Sequence, residues 1–335
     1  MKSDFIIYNE DWMIALTKIE PKSVQCCVTS PPYFRLRDYG VKGQLGNEKT
    51  PEEYVEKLVF GFKLLRECLK DDAVLWLNLG DTYCGGGRGG GTKKQDSNRG
   101  TIDMPESIIP IGYKQKDLMM IPAQVAIALR KDGWYLRSEI VWQKPNPMPE
   151  SITDRPTKSH EMIYLLSKSA KYYYNAEAIK EPVSESYAND KRPLGVLRQR
   201  VNAKSKYPNE GQFKKMKNLE PDGQQPNTMH KRRAQGLPDI EYPARNKRDV
   251  WNINTQNYGG SHFATFPEEI PKLCIAAGSK KGDIVLDPFV GSGTTGEVAL
   301  RMDRRFIGVE LNKEYVDKLV MPRLENVNPL FTQQK

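Results

Sequence analysis

The chain has 335 residues and a formal net charge of +9, long enough to bury a full core in one large domain, or in a core with one substantial insertion, without disulfide support. Five cysteines without CxxC spacing, two of them adjacent at Cys26 and Cys27 in an apolar run, read as buried thiols of a reducing compartment, and His160, His230 and His262 lie too far apart for a metal motif, so no metal is expected. No apolar stretch approaches the ~20 residues of a membrane span, and the opening MKSDFIIYNEDW lacks the layout of a secretion signal, so a cytoplasmic protein with no membrane contact is expected.

The first segment, DFIIYNEDWMIALTKIEPKSVQCCVTSPPYF, reads as a short strand, a helix and a second strand at 24–29 that stops at Pro31 and Pro32. A helical period runs from Glu52 to Leu69 through Tyr54, Val55, Leu58, Val59, Phe62 and Leu65, and a buried strand, AVLWLNLGD, follows at 73–81. A helix at about 122–131 precedes strands at 138–144 and 160–168. Two segments interrupt this rhythm. Residues 84–107 are Gly-rich, polar and mildly basic; they predict a mobile surface loop, with ordering on a nucleic acid as the alternative.

Residues 180–250 lack apolar periodicity and hold 16 Lys and Arg against 9 Asp and Glu, most of the excess charge of the chain. Tyr187, Tyr207, Phe213 and Tyr242 are interleaved with these basic residues, a composition that suits phosphate contacts and stacking better than a core. A merely solvated insertion is the competing reading. The α/β rhythm then resumes: a helix over 267–279, a strand at 283–287, a glycine turn, a helix over 295–302, a strand at 305–311 and a last helix from Lys313. The elements sum to an α/β sheet domain split by a basic insertion.

Two strand ends carry chemistry. In DIVLDPFVGSGTTGEVALRMDRRFIGVEL, a buried strand leads into Gly291-x-Gly293-x-x-Gly296 at a helix start, and a second strand ends at Glu310, 23 positions after Asp287. The glycines let backbone approach a ligand and the acid suits ribose hydroxyls, so spacing alone also allows a nicotinamide enzyme. Asp287 and Pro288 stand where a pyrophosphate binder wants open amides, which weighs against that. Near the other end, Ser30-Pro31-Pro32-Tyr33 follows a hydrophobic strand, where open α/β sheets place ligand chemistry. Proline removes a donor, leaving carbonyls free to face a substrate. Ser30 Oγ and the Pro31 carbonyl are suited to grip the hydrogens of an amino nitrogen, and Tyr33 offers a flat face to a base.

DPFVGSGT resembles the adenosylmethionine motif DPFxGSGT of DNA amino-methyltransferases, and SPPY matches their catalytic motif [DNS]PP[YFW] in its serine form. The catalytic motif comes first and the cofactor motif last, which resembles the permuted order of the β group of that family. The resemblance extends to YNEDW, to WQKPNPMPESITDRPTKSHEMIYLLSKS and to SHFATFPEEIP, and so spans most of the chain outside the Gly-rich loop and the insertion. It implies a Rossmann-like α/β methyltransferase fold with a largely parallel sheet. The catalytic half would be 1–179, a target-recognition insertion 180–250, and the cofactor half 251–335. The implied cofactor is S-adenosyl-L-methionine, with Gly291, Ser292, Gly293 and Thr294 around its methionine part, Glu310 at the ribose and Asp11 near the adenine. Asp287, Pro288 and Phe289 would flank it, and His262, Phe263, Thr265 and Pro267 complete the pocket. Ser30, Pro31, Pro32 and Tyr33 are the implied catalytic residues. Asp154, Arg155, Lys158 and His160 are evenly balanced between pocket wall and structural support.

The implied partner is double-stranded DNA, with a cognate restriction endonuclease as a companion rather than a subunit, and a monomer or homodimer as the assembly. No Pro-Cys pair exists, which removes covalent carbon-5 cytosine chemistry. An RNA or protein methyltransferase is the outside competitor, since related Pro-Pro-Tyr sites act on RNA and glutamine. The serine form favours cytosine N4 as the target, with adenine N6 the alternative.

Overall fold

The computed structural model describes residues 4–37, 39–85, 109–182, 244–256 and 266–327. Eight strands are found among them: β1 (Phe5–Tyr8), β2 (Val24–Thr29), β3 (Leu69–Leu79), β4 (Tyr135–Gln143), β5 (His160–Ser167), β6 (Val250–Asn252), β7 (Ile284–Asp287) and β8 (Arg305–Val309). They form one sheet in the order β1-β8-β7-β2-β3-β5-β4-β6. Every pairing is parallel except the two made by β5, which runs against both β3 and β4. The sheet is therefore largely parallel, as expected.

Both faces of the sheet are covered, which is why β2 is buried at all six positions and its sequence is unbroken by charge. On one face lie α1 (Trp12–Leu16), α2 (Pro51–Cys68) and α3 (Ile121–Lys131), packed on Cys27, Leu75, Leu77, Leu79, Tyr164 and Leu166. On the other lie α4 (Glu269–Gly278) and α5 (Thr294–Arg301), packed on Cys26, Val28, Val74, Trp76, Ile163 and Trp142. The described residues then close with α6 (Lys313–Tyr315), a π-helical turn and α7 (Met321–Val327), whose Leu324 joins the second core. The two residue sets alternate along each strand, the period of two that a pleated strand imposes.

Local chemistry fixes the element ends. The Thr50 hydroxyl accepts from the Glu53 amide, Pro51 opens α2, and Glu52 and Glu53 oppose the positive helix end. The helix passes into β3 with no intervening loop, because the Leu69 backbone turns extended and pairs with Val24, so the strand begins four residues before the expected 73. The sequence reading also placed no strand at 250–252. There β6 pairs in parallel with β4 and buries Trp251 beside Trp76, with ring centroids 6.1 Å apart. The expected Gly-rich loop falls outside the described residues beyond Cys84 and Gly85.

The chain divides into two compact units, Met1–Ile179 with Arg248–Lys335, and Lys180–Lys247. In the second unit the two described ends are tied to each other: Glu181 and Arg245 exchange backbone hydrogen bonds of 3.0 and 2.9 Å, and their side chains pair at 2.8 Å. All five cysteines are free and buried. No helix among the described residues is long and apolar enough to cross a membrane.

In α2, Gly61 lies against the buried indole of Trp12, where an added Cβ would stand 1.9 Å from the ring. Alanine would improve helix propensity by about 1 kcal/mol, but forcing a wedged ring aside costs roughly 1–3 kcal/mol or more. Gly61→Ala is expected to lower the urea midpoint; a raised midpoint would mean that the ring is free to move.

Candidate active site

Parallel strands β2, β3, β7 and β8 end at one edge of the sheet, and antiparallel β5 begins there. Because β2 pairs with β7, the Ser-Pro-Pro-Tyr and glycine-turn segments become neighbours despite lying 258 positions apart in Thr29 and Asp287. Thr29 Oγ1 donates to Asp287 Oδ1 at 2.7 Å, Thr295 Oγ1 to Oδ2 at 2.7 Å, and the Phe289 amide to Oδ1 at 3.0 Å. Burial pushes the Asp287 carboxyl up to about 6, even against these three donors.

Beside this seam is a partly open cavity. Ser30 and Pro32 line it from the end of β2, Pro288, Phe289 and Gly291 from the glycine turn, and Glu310 from the end of β8. Trp12 and Phe289 make an aromatic wall, their centroids 4.7 Å apart. Tyr39 and Tyr315 add two further rings. Asp11 lines the cavity while capping α1 through the amides of Met13, at 2.8 Å, and Ile14, at 3.3 Å. Glu310 accepts the amides of Gly291 and Asn312, both at 2.9 Å. Burial pushes its carboxyl up to about 7, partly countered by those amides. The described lining carries Glu10, Asp11 and Glu310 and neither lysine nor arginine. Such a wall repels phosphate and suits a ligand with a flat ring, hydroxyls and a cationic centre.

The rest of the glycine turn faces elsewhere. The hydroxyls of Ser292 and Thr294 are buried 3.2 Å apart, and Arg323 donates to Thr294 Oγ1 at 3.0 Å while pairing with Glu297 and Glu268. Gly293 takes φ 84°, which a side chain rarely adopts, and begins α5 against Val320. These three residues join the turn to the C-terminal helices, and only Gly291 of the four reaches the cavity lining. Pro267 is buried just ahead of α4; His262, Phe263 and Thr265 lie outside the described residues.

A second polar cluster underlies the Ser-Pro-Pro-Tyr turn. The Tyr33 ring rests on Gly80, where a Cβ would come within 2.4 Å of it, and its hydroxyl donates to Glu161 Oε2 at 2.5 Å. Asn78 Nδ2 sits 2.8 Å from the Tyr33 oxygen, 3.0 Å from Glu161 Oε2 and 3.3 Å from Ser30 Oγ. Lys144 pairs with Glu161 and stands 4.4 Å over the Trp142 ring. Burial works to raise the Glu161 carboxyl, but the Lys144 charge and the hydrogen bonds from Lys144, Tyr33 and Asn78 outweigh it and hold the group below the usual carboxylate range. Burial pushes the Tyr33 phenol well up, and the Glu161 charge adds to it. The Pro32 carbonyl accepts from Tyr54 at 2.8 Å, which fixes the middle of the turn.

A family model described as DNA methylase, of the N6/N4 type, matches residues 24–321. The chain belongs to the N6/N4 DNA methylase family. The type II methyltransferase M.SmaI of Serratia marcescens is 43% identical over 301 residues, covering 90% of this chain and 84% of that protein. M.Cfr9I of Citrobacter freundii is 41% identical over 312 residues, covering 93% and 85%. Among solved structures, the cytosine-N4-specific PvuII DNA methyltransferase aligns with a TM-score of 0.57 at 18% identity, over 97% of this chain and 91% of that one. A DNA modification methylase of Thermus thermophilus, complexed with S-adenosyl-L-methionine, aligns at 0.54 and 21%, over 96% and 94%. These likenesses show the methyltransferase fold.

Asn78, Lys144 and Glu161, which the motifs do not include, meet beneath the Ser30–Tyr33 turn. Their signal lay in the alternation of the strands. Val74-Trp76-Asn78, Trp142-Lys144 and Glu161-Ile163 are rows on one face, each apolar inside and polar at the strand-end edge. Of the undecided central residues, Lys158 donates to the Asp81 carbonyl at 2.6 Å, Asp154 pairs with Lys116 at 2.6 Å, and Arg155 pairs with Glu150 at 2.9 Å and stacks on Tyr83. His160 opens β5 and is exposed. None of the four lines the cavity.

Two predictions concern stability. Lys144→Met leaves the Glu161 charge without its counter-ion in a largely dry site and should cost about 3 kcal/mol in a urea titration, whereas a loss under 1 kcal/mol would mean the pair is solvent-screened. Glu310 has a folded-state value raised above its unfolded one, so its stabilising contribution is full below about pH 4.5 and is lost as the pH climbs through about 7. Between pH 5 and pH 8 the wild type should therefore lose, relative to Glu310→Gln, on the order of 3 kcal/mol. Parallel pH profiles of the two proteins would contradict this.

Proposed function

We propose that this DNA methylase methylates N4 of cytosine at a specific site in duplex DNA, with S-adenosyl-L-methionine as the methyl donor. The observation that carries the reading is one cavity that joins the acidic, aromatic-walled pocket of Glu310, Asp11 and Phe289 to Ser30 of the Ser-Pro-Pro-Tyr turn. The residues fit the cofactor. The three carboxylates favour its cationic groups, Glu310 still has lone pairs for ribose hydroxyls, and the aromatic wall suits adenine. When bound, S-adenosylmethionine supplies a methyl carbon on a positively charged sulfur and leaves as S-adenosylhomocysteine.

The chain itself has to aim the amino nitrogen. Ser30 Oγ and the Pro31 carbonyl accept the two amino hydrogens, which draws the nitrogen lone pair out of conjugation and toward the methyl group. Pro31 and Pro32 hold that geometry because proline fixes φ, and Tyr33 backs the turn against Gly80. No nucleophile attacks the ring, consistent with five buried cysteines whose thiols are either raised by burial or remote from the turn. The basic unit at 180–247 is the target-recognition module: its charge meets the phosphates while its aromatic and polar side chains meet bases. The serine form of the turn and the likeness to a cytosine-N4-specific enzyme favour cytosine over adenine N6. The protein works in the cytoplasm, as a monomer or homodimer, beside a cognate endonuclease that is not a subunit.

Incubation with unmethylated genomic DNA and methyl-labelled S-adenosylmethionine, followed by nucleoside chromatography, should place label in N4-methylcytosine. Label in N6-methyladenine would keep the geometry and overturn the base; label in neither would overturn DNA as substrate. Ser30→Ala should cut turnover at least ~100-fold with cofactor affinity nearly unchanged. Gly291→Asp puts a side chain on a glycine held at φ 55° in the cavity lining, and should instead weaken cofactor binding at least ~10-fold by strain and lost space.

A further inference from the structure

We propose that Glu161, paired with Lys144, is a positioning residue that sets the direction of the hydroxyl chain from Ser30 to Tyr33, so that Ser30 Oγ meets the target amino group as an acceptor. This rests on the amino-methylation reading above and names the residue that makes its acceptor work.

Proton bookkeeping carries the inference. A carboxylate can only accept, so at 2.5 Å from Glu161 Oε2 the single Tyr33 hydroxyl proton is committed to that oxygen. The Tyr33 oxygen can then act only as an acceptor, and it lies 3.2 Å from Ser30 Oγ. The same logic orients Asn78: Tyr33 and Glu161 both accept, so the amide nitrogen faces them, with Ser30 Oγ 3.3 Å away, and its buried oxygen has no partner among the described residues. The Ser30 proton thus has a waiting acceptor behind it, and of the two Ser30 lone pairs the one not facing Asn78 is left for the cavity that Ser30 lines. A neutral group at 161 that can donate removes this bias. The Tyr33 proton could then turn toward Ser30, and the Ser30 proton toward the cavity, where it would meet an amino group that also donates.

The rows of the sheet explain how an acid reaches this place. Glu161 faces Trp142 across the β4–β5 pair, and Asn78 faces Ile163 across β3–β5, so Lys144, Glu161 and Asn78 end neighbouring rows on one face. Ser30 ends the next row, after Cys26 and Val28.

The test is a double-mutant cycle in single-turnover methyl transfer from labelled S-adenosylmethionine to unmethylated genomic DNA, with cofactor affinity measured alongside. Glu161→Gln and Tyr33→Phe should each slow transfer roughly 10- to 100-fold, with cofactor affinity within about twofold of wild type. The double variant should be no slower than the slower single one, because both changes cut the same chain. Multiplying losses, or a parallel loss of cofactor affinity, would make Glu161 a packing residue only and overturn the inference. If Glu161→Gln does not fold, Tyr33→Phe decides alone: a full rate there overturns it. Wild type that labels no DNA would bring down the proposed function first, and this inference with it.

Discussion

Asp287 is 1% exposed and accepts hydrogen bonds from Thr29 at the end of β2, from Thr295 in α5 and from the amide of Phe289. A buried carboxylate is costly unless its lone pairs are filled, and here the filling groups come from both functional segments. Holding Asp287 therefore also holds Ser30 beside Gly291. The parallel β2–β7 pairing makes that contact possible, and pairing depends on strand neighbours rather than on chain order. That is the physical reason a chain with its catalytic motif first and its cofactor motif last can build this site. Adjacency is decided in the sheet, and the order of motifs decides only which loops must be long.

The reversed strand β5 has a consequence of its own. In an all-parallel sheet each strand delivers its last residues to the ligand edge, whereas β5 delivers its first, His160 and Glu161. An acid that starts a strand thus stands level with Asn78, which ends one. The strand-end cluster caps apolar rows that include Trp76 and Trp142, so its polar groups have little water to fall back on and must satisfy one another. Among the described residues the Asn78 oxygen has no partner, and there that satisfaction is incomplete. Stability is spent there on direction, as polar groups at functional sites commonly are.

Much of this was legible in the chain. Strand β2 was read to the residue, and the helix-turn-strand pattern around 284–310 announced a ligand turn, because short local patterns of burial and glycine are properties of neighbours in sequence. Asp11, Ser30, Pro32, Pro288, Phe289, Gly291 and Glu310 were all singled out and all line one cavity. The hydroxyls of Ser292 and Thr294 bond each other, and Arg323 donates to Thr294, a contact set by α7 that no local pattern encodes. Asn78, Lys144 and Glu161 escaped notice because their meeting depends on strand order. Once β5 is known to lie between β3 and β4, the period-two rows point straight to them. Edge strand β6 was missed for another reason: three residues carry too little pattern to stand out from a basic segment.

The distribution of charge completes the physical account. The cavity wall holds Glu10, Asp11 and Glu310, while residues 180–250 carry a strong positive excess. A phosphate brought within 4 Å of the Asp11 carboxylate would meet about 4 kcal/mol of repulsion at an effective dielectric of 20, and the ionised fraction of Glu310 would add to it. A nucleobase carries no such charge. On the proposed reading the backbone of the duplex is held by the basic unit and refused by the cavity, and only the neutral part of a nucleotide is admitted. Chemistry on the amino group then requires the base to leave the stack, since no rigid duplex can present a base to an acidic pocket without bringing its phosphates along. The acidity that recommends the pocket to a cationic cofactor is thus also what makes extrusion of the base the less costly way in.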